Sequence, residues 1–426
     1  MMRRADGGRM HVLGFLAVFA GTLHVLLTVE VGGTQLRVGA SDLLLPVLGL
    51  MLAVSWWRRR DPGPAWHVRH LPLWFLAMLC WFGLSVWRGW GHADPAGSWA
   101  LLKFAGFIAL LGYFLAGGLV AARWGADAAA LLCRAYVLVA WSIAAYALAR
   151  YALAAYGLYP SHWYPRLQAF AENPNTYGLL AASAWLLQMA WLRGDPVIGG
   201  RWDRLGSTLL LAAVLLSASR SVYLGMALAS AVLLWRGWIQ PAAALRSAAT
   251  AVLLLGVLLV AAPGLLENDW DSGLFIVKRD YMDSGVISRA SRAQLARDAF
   301  AMWLDNPLRG AGVGGFMRAQ LAAHGGAAAS TNHNSLLWWL SEMGLVGALL
   351  FGGFLLAAIN KLYRLAAVDR RSAGVLGVTL LLAGASLGTE VMYQRYAWFF
   401  LGLALSRKAG VDDEQAVAPR DAGRGA

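Results

Sequence analysis

The chain has 426 residues, of which 59% are hydrophobic and only 14% charged, with a formal net charge of +13. A mean hydropathy of +0.55 excludes an ordinary water-soluble globular protein. The basic residues punctuate apolar runs instead of forming a duplex-binding face, which excludes a nucleic-acid binder and leaves an all-α polytopic membrane protein.

Taken in order, residues 1–30 place Arg3, Arg4 and Arg9 ahead of an apolar stretch, as a signal peptide would. No small-x-small cleavage site follows, so the segment reads as a first span. With roughly 20 residues needed per helical crossing, about twelve spans are predicted. They fall near 11–30, 40–57, 71–87, 98–122, 127–156, 176–192, 205–219, 221–238, 245–262, 335–359, 373–389 and 395–406. Only Ser219-Arg220-Ser221 divides the seventh from the eighth. Cys80 and Cys133 both fall inside apolar runs, which argues against a structural disulfide. The sequence predicts one integral membrane domain over 1–408 and a disordered cytoplasmic tail over 409–426, rich in Ala, Gly and charge.

Alternate connections differ in basic residues. One set holds Arg3/Arg4/Arg9, Arg58/Arg59/Arg60/Arg69, Arg123, Arg193/Arg201/Arg204, Arg236/Arg246, Lys361/Arg364/Arg370/Arg371 and Arg407/Lys408. The short connections of the other set hold single arginines: Arg37, Arg88, Arg166, Arg220 and Arg395. By the positive-inside bias both termini are cytoplasmic, and the long polar segment 263–334 lies outside. That segment nevertheless carries Lys278, Arg279, Arg289, Arg292, Arg297, Arg309 and Arg318. Cations on the disfavoured side answer to something anionic, unless the segment is simply long enough to escape the bias.

Within it, Ser291 and Gln294 fit a capping box that starts a helix over about 292–304, with Arg292 at its first position. Arg292, Ala299 and Trp303 then share a face, and Asn306-Pro307 ends the helix. Either this is a solvated surface helix, or the guanidinium at its N-terminus answers to an anion there, whose phosphate oxygens can take two parallel hydrogen bonds from it. Arg289 is the natural second donor. Arg220, in its tight turn, has little room to reach water; it is either a snorkelling helix-end residue or a buried cation in need of an anionic partner. His333, in Thr331-Asn332-His333-Asn334-Ser335, stands at the mouth of a span; it is either a polar helix-start residue, the commoner case, or a side chain suited to general-base work. Glu342, nine residues on, is too far along that helix to be its direct partner. Arg166 through Asn173-Pro174-Asn175 is a turn and helix start. Gly310-Ala311-Gly312-Val313-Gly314-Gly315 matches a dinucleotide fingerprint in letters only, and reads as a flexible turn that lets backbone approach a ligand or another helix. Asp269-Trp270-Asp271 is one weak acidic triplet, and no histidine cluster supports a metal site.

The ordered set Arg166…Asn173-Pro174-Asn175, Ser219-Arg220, Ser291-Arg292 through Trp303 to Asn306-Pro307-Leu308-Arg309-Gly310-Ala311-Gly312 and Phe316, then His333-Asn334-Ser335-Leu336-Leu337 and Glu342-Met343-Gly344-Leu345-Val346-Gly347, resembles the O-antigen ligase/polymerase superfamily of bacterial membrane glycosyltransferases. The resemblance covers roughly residues 160–350 and implies a GT-C-like fold in the inner membrane, acting at the periplasmic face without nucleotide, metal or other cofactor. It further implies an undecaprenyl-diphosphate-linked glycan as donor and lipid A-core as acceptor. Arg220 and Arg292, with Arg289, would hold the diphosphate, and His333 would activate the acceptor hydroxyl. Arg166, Asn175, Arg309 and Asn334 would support them. A single dominant outer loop, with 157–175 short, resembles a ligase more than a polymerase joining lipid-linked repeats; a protein-glycosylating member stays open. A transporter of lipid-linked anions is the alternative from another class, and it calls for polar or broken spans through the bilayer centre.

Overall fold

A computed structural model describes residues 2–31, 34–59, 64–90, 95–155, 158, 166–171, 173–261, 289–324 and 334–407. With no water in the bilayer core, backbone polar groups must pair within their own segment, so the apolar runs become helices. These are α1 Met2–Thr22, α2 Ala40–Arg59, α3 Leu71–Gly89, α4 Pro95–Ala155, α5 Pro174–Ala190, α6 Arg201–Leu216, α7 Arg220–Trp235 and α8 Pro241–Ala261. After them come α9 Arg289–Asp305, α10 Gly315–His324, α11 Ser335–Trp338 continued by a π turn Trp339–Met343, α12 Gly344–Leu365, α13 Arg370–Ala385 and α14 Arg395–Leu405.

Among the described residues, five stretches are long and apolar enough to cross a membrane: 40–57, 71–89, 96–153, 241–258 and 335–365. The other apolar helices are shorter, and some are central. Every residue of α5 from Tyr177 to Ala190 is buried, with Ser183 and Gln188 its only polar side chains in that stretch apart from Tyr177, so this helix is the core that the others surround. α4 bends at Gly125, whose φ of 73° and ψ of −161° separate its two arms where the fourth and fifth spans divide.

Three sequence expectations change. The first span, drawn to residue 30, stops at Thr22; Leu26–Val31 is instead a strand (β1) pairing antiparallel with Thr34–Gly39 (β2), Leu26 opposite Gly39. β-Branched Thr28, Val29 and Val31 before Gly32-Gly33 favour a hairpin over a further turn of helix. The span drawn over 335–359 is broken, because Gly344 takes φ 68° and ψ −170° after the π turn. Beyond the break α12 runs antiparallel to α3, with Gly347 against Trp81 and Gly353 against Trp74. Third, α9 begins at Arg289, so Ser291 lies within the helix and Arg292 is its fourth residue; Gln294 turns forward to Asp298 (Nε2 to Oδ1, 2.6 Å) instead of back as a capping box requires.

Side-chain contacts gather the connections into two ends of the bundle. At one end Arg395 pairs with Asp42 (Nη2 to Oδ2, 2.7 Å), Arg166 reaches Ser217, and Asn334 reaches Leu387. At the other, Arg123 donates to Ser55, Arg134 pairs with Asp195, Arg370 donates to the Arg193 carbonyl, and Ala65–Trp66 (β3) pairs with Ser406–Arg407 (β4).

Candidate functional site

The connection between α13 and α14, residues 386–394, is where the candidate residues gather. Asn334 caps α11 by accepting from the Leu337 N–H at 3.0 Å, and its Nδ2 donates to the Leu387 carbonyl at 3.1 Å. Ser335 extends the seam: its N–H donates to Ser386 O (3.0 Å), its hydroxyl donates to Thr389 O (3.3 Å), and the same oxygen accepts from Val391 N–H (3.1 Å). From the opposite side α7 lies against α13 so closely that a Cβ on Gly384 would meet Gly225 Cα at 2.7 Å. One turn on, a Cβ on Gly388 would stand 3.1 Å from Ser221 Cβ. Glycines permit that approach, and it sets the first turn of α7 beside the loop that holds Asn334. Arg220 opens that turn. It is exposed and has no hydrogen-bond or ion-pair partner among the described residues, so of the two sequence readings the buried one falls.

Arg166 supports the same corner. Its Nε donates to Ser217 O at 3.0 Å and its Nη2 to Asn175 Oδ1 at 2.9 Å, tying the chain before α5 to the turn between α6 and α7. Asn173 caps α5 by accepting from the N–H groups of Asn175 and Thr176. Arg166 and Asn175 therefore meet each other and the Arg220 turn.

Lys103 is not among the candidate residues read from the sequence. It forms an ion pair with Glu390, and its ammonium stands 4.3 Å from the Tyr393 ring centroid, 5.0 Å from that of Trp99 and 5.6 Å from that of Trp338. The Tyr393 hydroxyl donates to the Lys103 carbonyl at 2.7 Å. Burial of that hydroxyl, with Glu390 and Glu342 adding negative charge, pushes its pKa well up and keeps it a donor. The sequence signal was a lone lysine in the apolar run of α4, which needs an acid or an aromatic neighbour to be tolerated.

The Asn306–Gly314 turn is stitched to the π turn, not free. Gly310 N–H donates to Asn306 O, Ala311 N–H to Ser341 O (2.8 Å), Gly312 N–H to Glu342 O (2.9 Å) and Val313 N–H to Ser85 O (2.9 Å), while Leu345 N–H donates to Pro307 O (2.8 Å). Gly310, Gly312, Gly314 and Gly344 all have positive φ. Of the two roles the glycine run could have had, it is helix approach that the structure shows. Glu342 is buried at 1% exposure, and its carboxylate accepts from Phe316 N–H (3.1 Å) and Trp338 Nε1–H (2.6 Å). The buried acid thereby joins the start of α10 to the first turn of α11.

His333 lies outside the described residues, as do the side chains of Arg289 and Arg292. The backbone of α9 nonetheless sets position 292 on the face of Leu295 and Ala299, which pack with Phe316 and Leu337. Leu337 is three residues beyond Asn334. Arg309 is exposed at the far side of the glycine turn, next to Arg88. Arg395 is engaged with Asp42 through Nε at 2.7 and 2.8 Å. Among the described residues no group of three or more His, Cys, Asp and Glu side chains is placed to hold a metal ion.

Residues 205–352 match a family model described as O-antigen ligase. That match supports, over this segment, the superfamily that the ordered motifs resemble. No curated protein matches the chain. The superfamily segment runs from α6 into α12 and so includes Arg220, α9, the glycine turn, Asn334 and Glu342. Lys103, Arg166, Asn175 and the 386–394 connection lie outside it, and they meet the superfamily segment only in space.

Proposed function

We propose that the protein is an O-antigen ligase of the bacterial inner membrane, with about twelve spans, both termini cytoplasmic, and its site at the periplasmic face in a GT-C-like arrangement. It transfers a glycan from undecaprenyl diphosphate to lipid A-core. The observation that carries this reading is the meeting of Arg220's turn and Asn334 on one connection, with Arg166 behind the first and Lys103–Glu390 beneath the second. A diphosphate is already an activated leaving group, so orientation and charge stabilisation suffice. The acceptor hydroxyl oxygen attacks the anomeric carbon and its proton passes to a ring nitrogen of His333. The bond from that carbon to the diphosphate oxygen breaks, and the diphosphate leaves with the electron pair. Arg220 and Arg292, with Arg289, take up its charge in bidentate hydrogen bonds, while Arg166 and Asn175 brace the Arg220 turn and Asn334 holds the entrance to α11.

The test is reconstitution with lipid-linked glycan and lipid A-core. His333→Ala should abolish transfer while the donor still binds; a variant that still transfers removes the base. In cells, deletion should give lipopolysaccharide without long chains and an accumulation of polymeric carrier-linked glycan. Core bearing a single repeat would assign the protein as a polymerase instead. Loss of donor movement across the bilayer, with transfer intact, would make it a transporter.

A further inference from the structure

A second group of arginines lies at the outer end of α3, away from the Arg220 corner. Arg88, in the last turn of α3, donates from Nη2 to the Arg309 carbonyl and to Ser85 Oγ (3.3 Å), and stands 5.6 Å from the Trp81 ring centroid. The charge that bears on it is another cation, Arg309. Neither residue has an acidic partner among the described residues, and Arg88 Nε is buried there with no acceptor. Arg318 of α10 joins the same rim, its Nη2 donating to Gly89 O at 2.7 Å. Around these cations Trp87, Trp90 and Leu308 are exposed by 74%, 45% and 61%.

Arg88 and Arg309, like charges held together with no carboxylate beside them among the described residues, are unfavourable until an anion arrives, and guanidinium favours phosphate. Exposed indole and leucine beside them mark a water–lipid boundary, so the anion belongs to an amphiphile. The glycine turn fixes the geometry, since a Cβ on Gly312 would lie 2.4 Å from Gly89 N, which leaves the Arg309 backbone no freedom to leave Arg88.

We propose that Arg88, Arg309 and Arg318 form a second anion site that takes a phosphate of the glycolipid acceptor, separate from the site for the donor's diphosphate. This rests on the ligase reading above. It sets two phosphate-bearing lipids on two sides of α11, with the acceptor's sugar directed between them. It also moves Arg309 from the donor's supporting set to the acceptor's.

The experiment uses full-length protein in nanodiscs, with phosphorylated lipid A-core, the same acceptor after phosphatase treatment, and phosphatidylglycerol as competitor. Arg309→Gln, whose side chain has no partner to lose among the described residues, and Arg88→Lys, which keeps the charge but loses the fork, should each raise the acceptor KM. Roughly tenfold is expected for Arg309→Gln, from loss of one half-exposed charge-assisted contact. The donor KM should stay within about twofold, because the arginines holding the diphosphate are untouched. Dephosphorylated acceptor should show no difference between wild type and variants. An equal rise in donor KM, no rise at all, or displacement of the acceptor by phosphatidylglycerol at equal concentration each overturns the proposal, the last by assigning the site to a bulk lipid headgroup. Native mass spectrometry of retained glycolipid keeps the two readings apart. Preferential retention of phosphorylated acceptor that Arg309→Gln abolishes, in a protein that transfers nothing, upholds this site and sinks the ligase.

Discussion

Replacing Gly310 with alanine isolates how firmly the glycine turn is docked. Gly310 has φ 67°, and a Cβ there would lie 2.4 Å from the carbonyl carbon of Glu342, 2.6 Å from its oxygen and 2.5 Å from Gly344 N. These are backbone atoms of the π turn and of the start of α12 and cannot swing aside, so the turn itself must lift. Lifting it breaks Ala311–Ser341 and Gly312–Glu342, each worth about 1 kcal/mol net, and adds about 1–2 kcal/mol for a left-handed alanine. Gly237 supplies the control: its φ is 69°, but nothing lies within 4 Å of its Cβ position. Gly237→Ala should therefore cost only the backbone conformation, about 1–2 kcal/mol, and Gly310→Ala about 2 kcal/mol more. Limited proteolysis under conditions where opening is fast relative to cleavage reads that surplus as roughly thirtyfold faster cutting near Arg309. If the two variants shift cleavage at their own turns equally, backbone conformation alone matters and the docking argument is wrong.

Three further outcomes test the site's supports. Glu342→Ala leaves Phe316 N–H and Trp338 Nε1–H unsatisfied and should destabilise by about 2–5 kcal/mol, with Glu342→Gln milder because one acceptor survives. Amide exchange across the first turn of α10 reads this, and unaltered protection in Glu342→Ala would show that the carboxylate does not hold that turn. Asn334→Asp keeps the cap on Leu337 but loses the donation to Leu387, so it should recover most of the roughly 1 kcal/mol lost in Asn334→Ala while transfer stays slow. Wild-type transfer by the aspartate variant would disconnect the Leu387 contact from the neighbouring histidine. Lys103→Met strands Glu390, whose side chain is 25% exposed, and should lower thermal stability by about 1–3 kcal/mol. Adding Glu390→Gln should return most of it, and a strictly additive double variant would rule out coupling between the pair.

The sequence by itself determined the class of the protein and which stretches form its apolar helices. Hydropathy sufficed because a bilayer demands long apolar segments with internally paired backbones. The ordered fragments from Arg166 to Gly347 also carried the resemblance that the family match over 205–352 supports, since each is local in the chain. Sequence periodicity missed the hairpin at 26–39 and the break at Gly344, where a few residues favour a conformation that the surrounding apolar run masks. What only the tertiary structure decided was partnership. Lys103 and Glu390 are 287 positions apart, Asn334 and Leu387 are 53 apart, and Arg88 and Arg309 are 221 apart. No spacing rule connects such pairs, because side chains that far apart meet only when packed helices bring their ends together. Packing also decided between the two readings of Arg220, which stands open at a helix start.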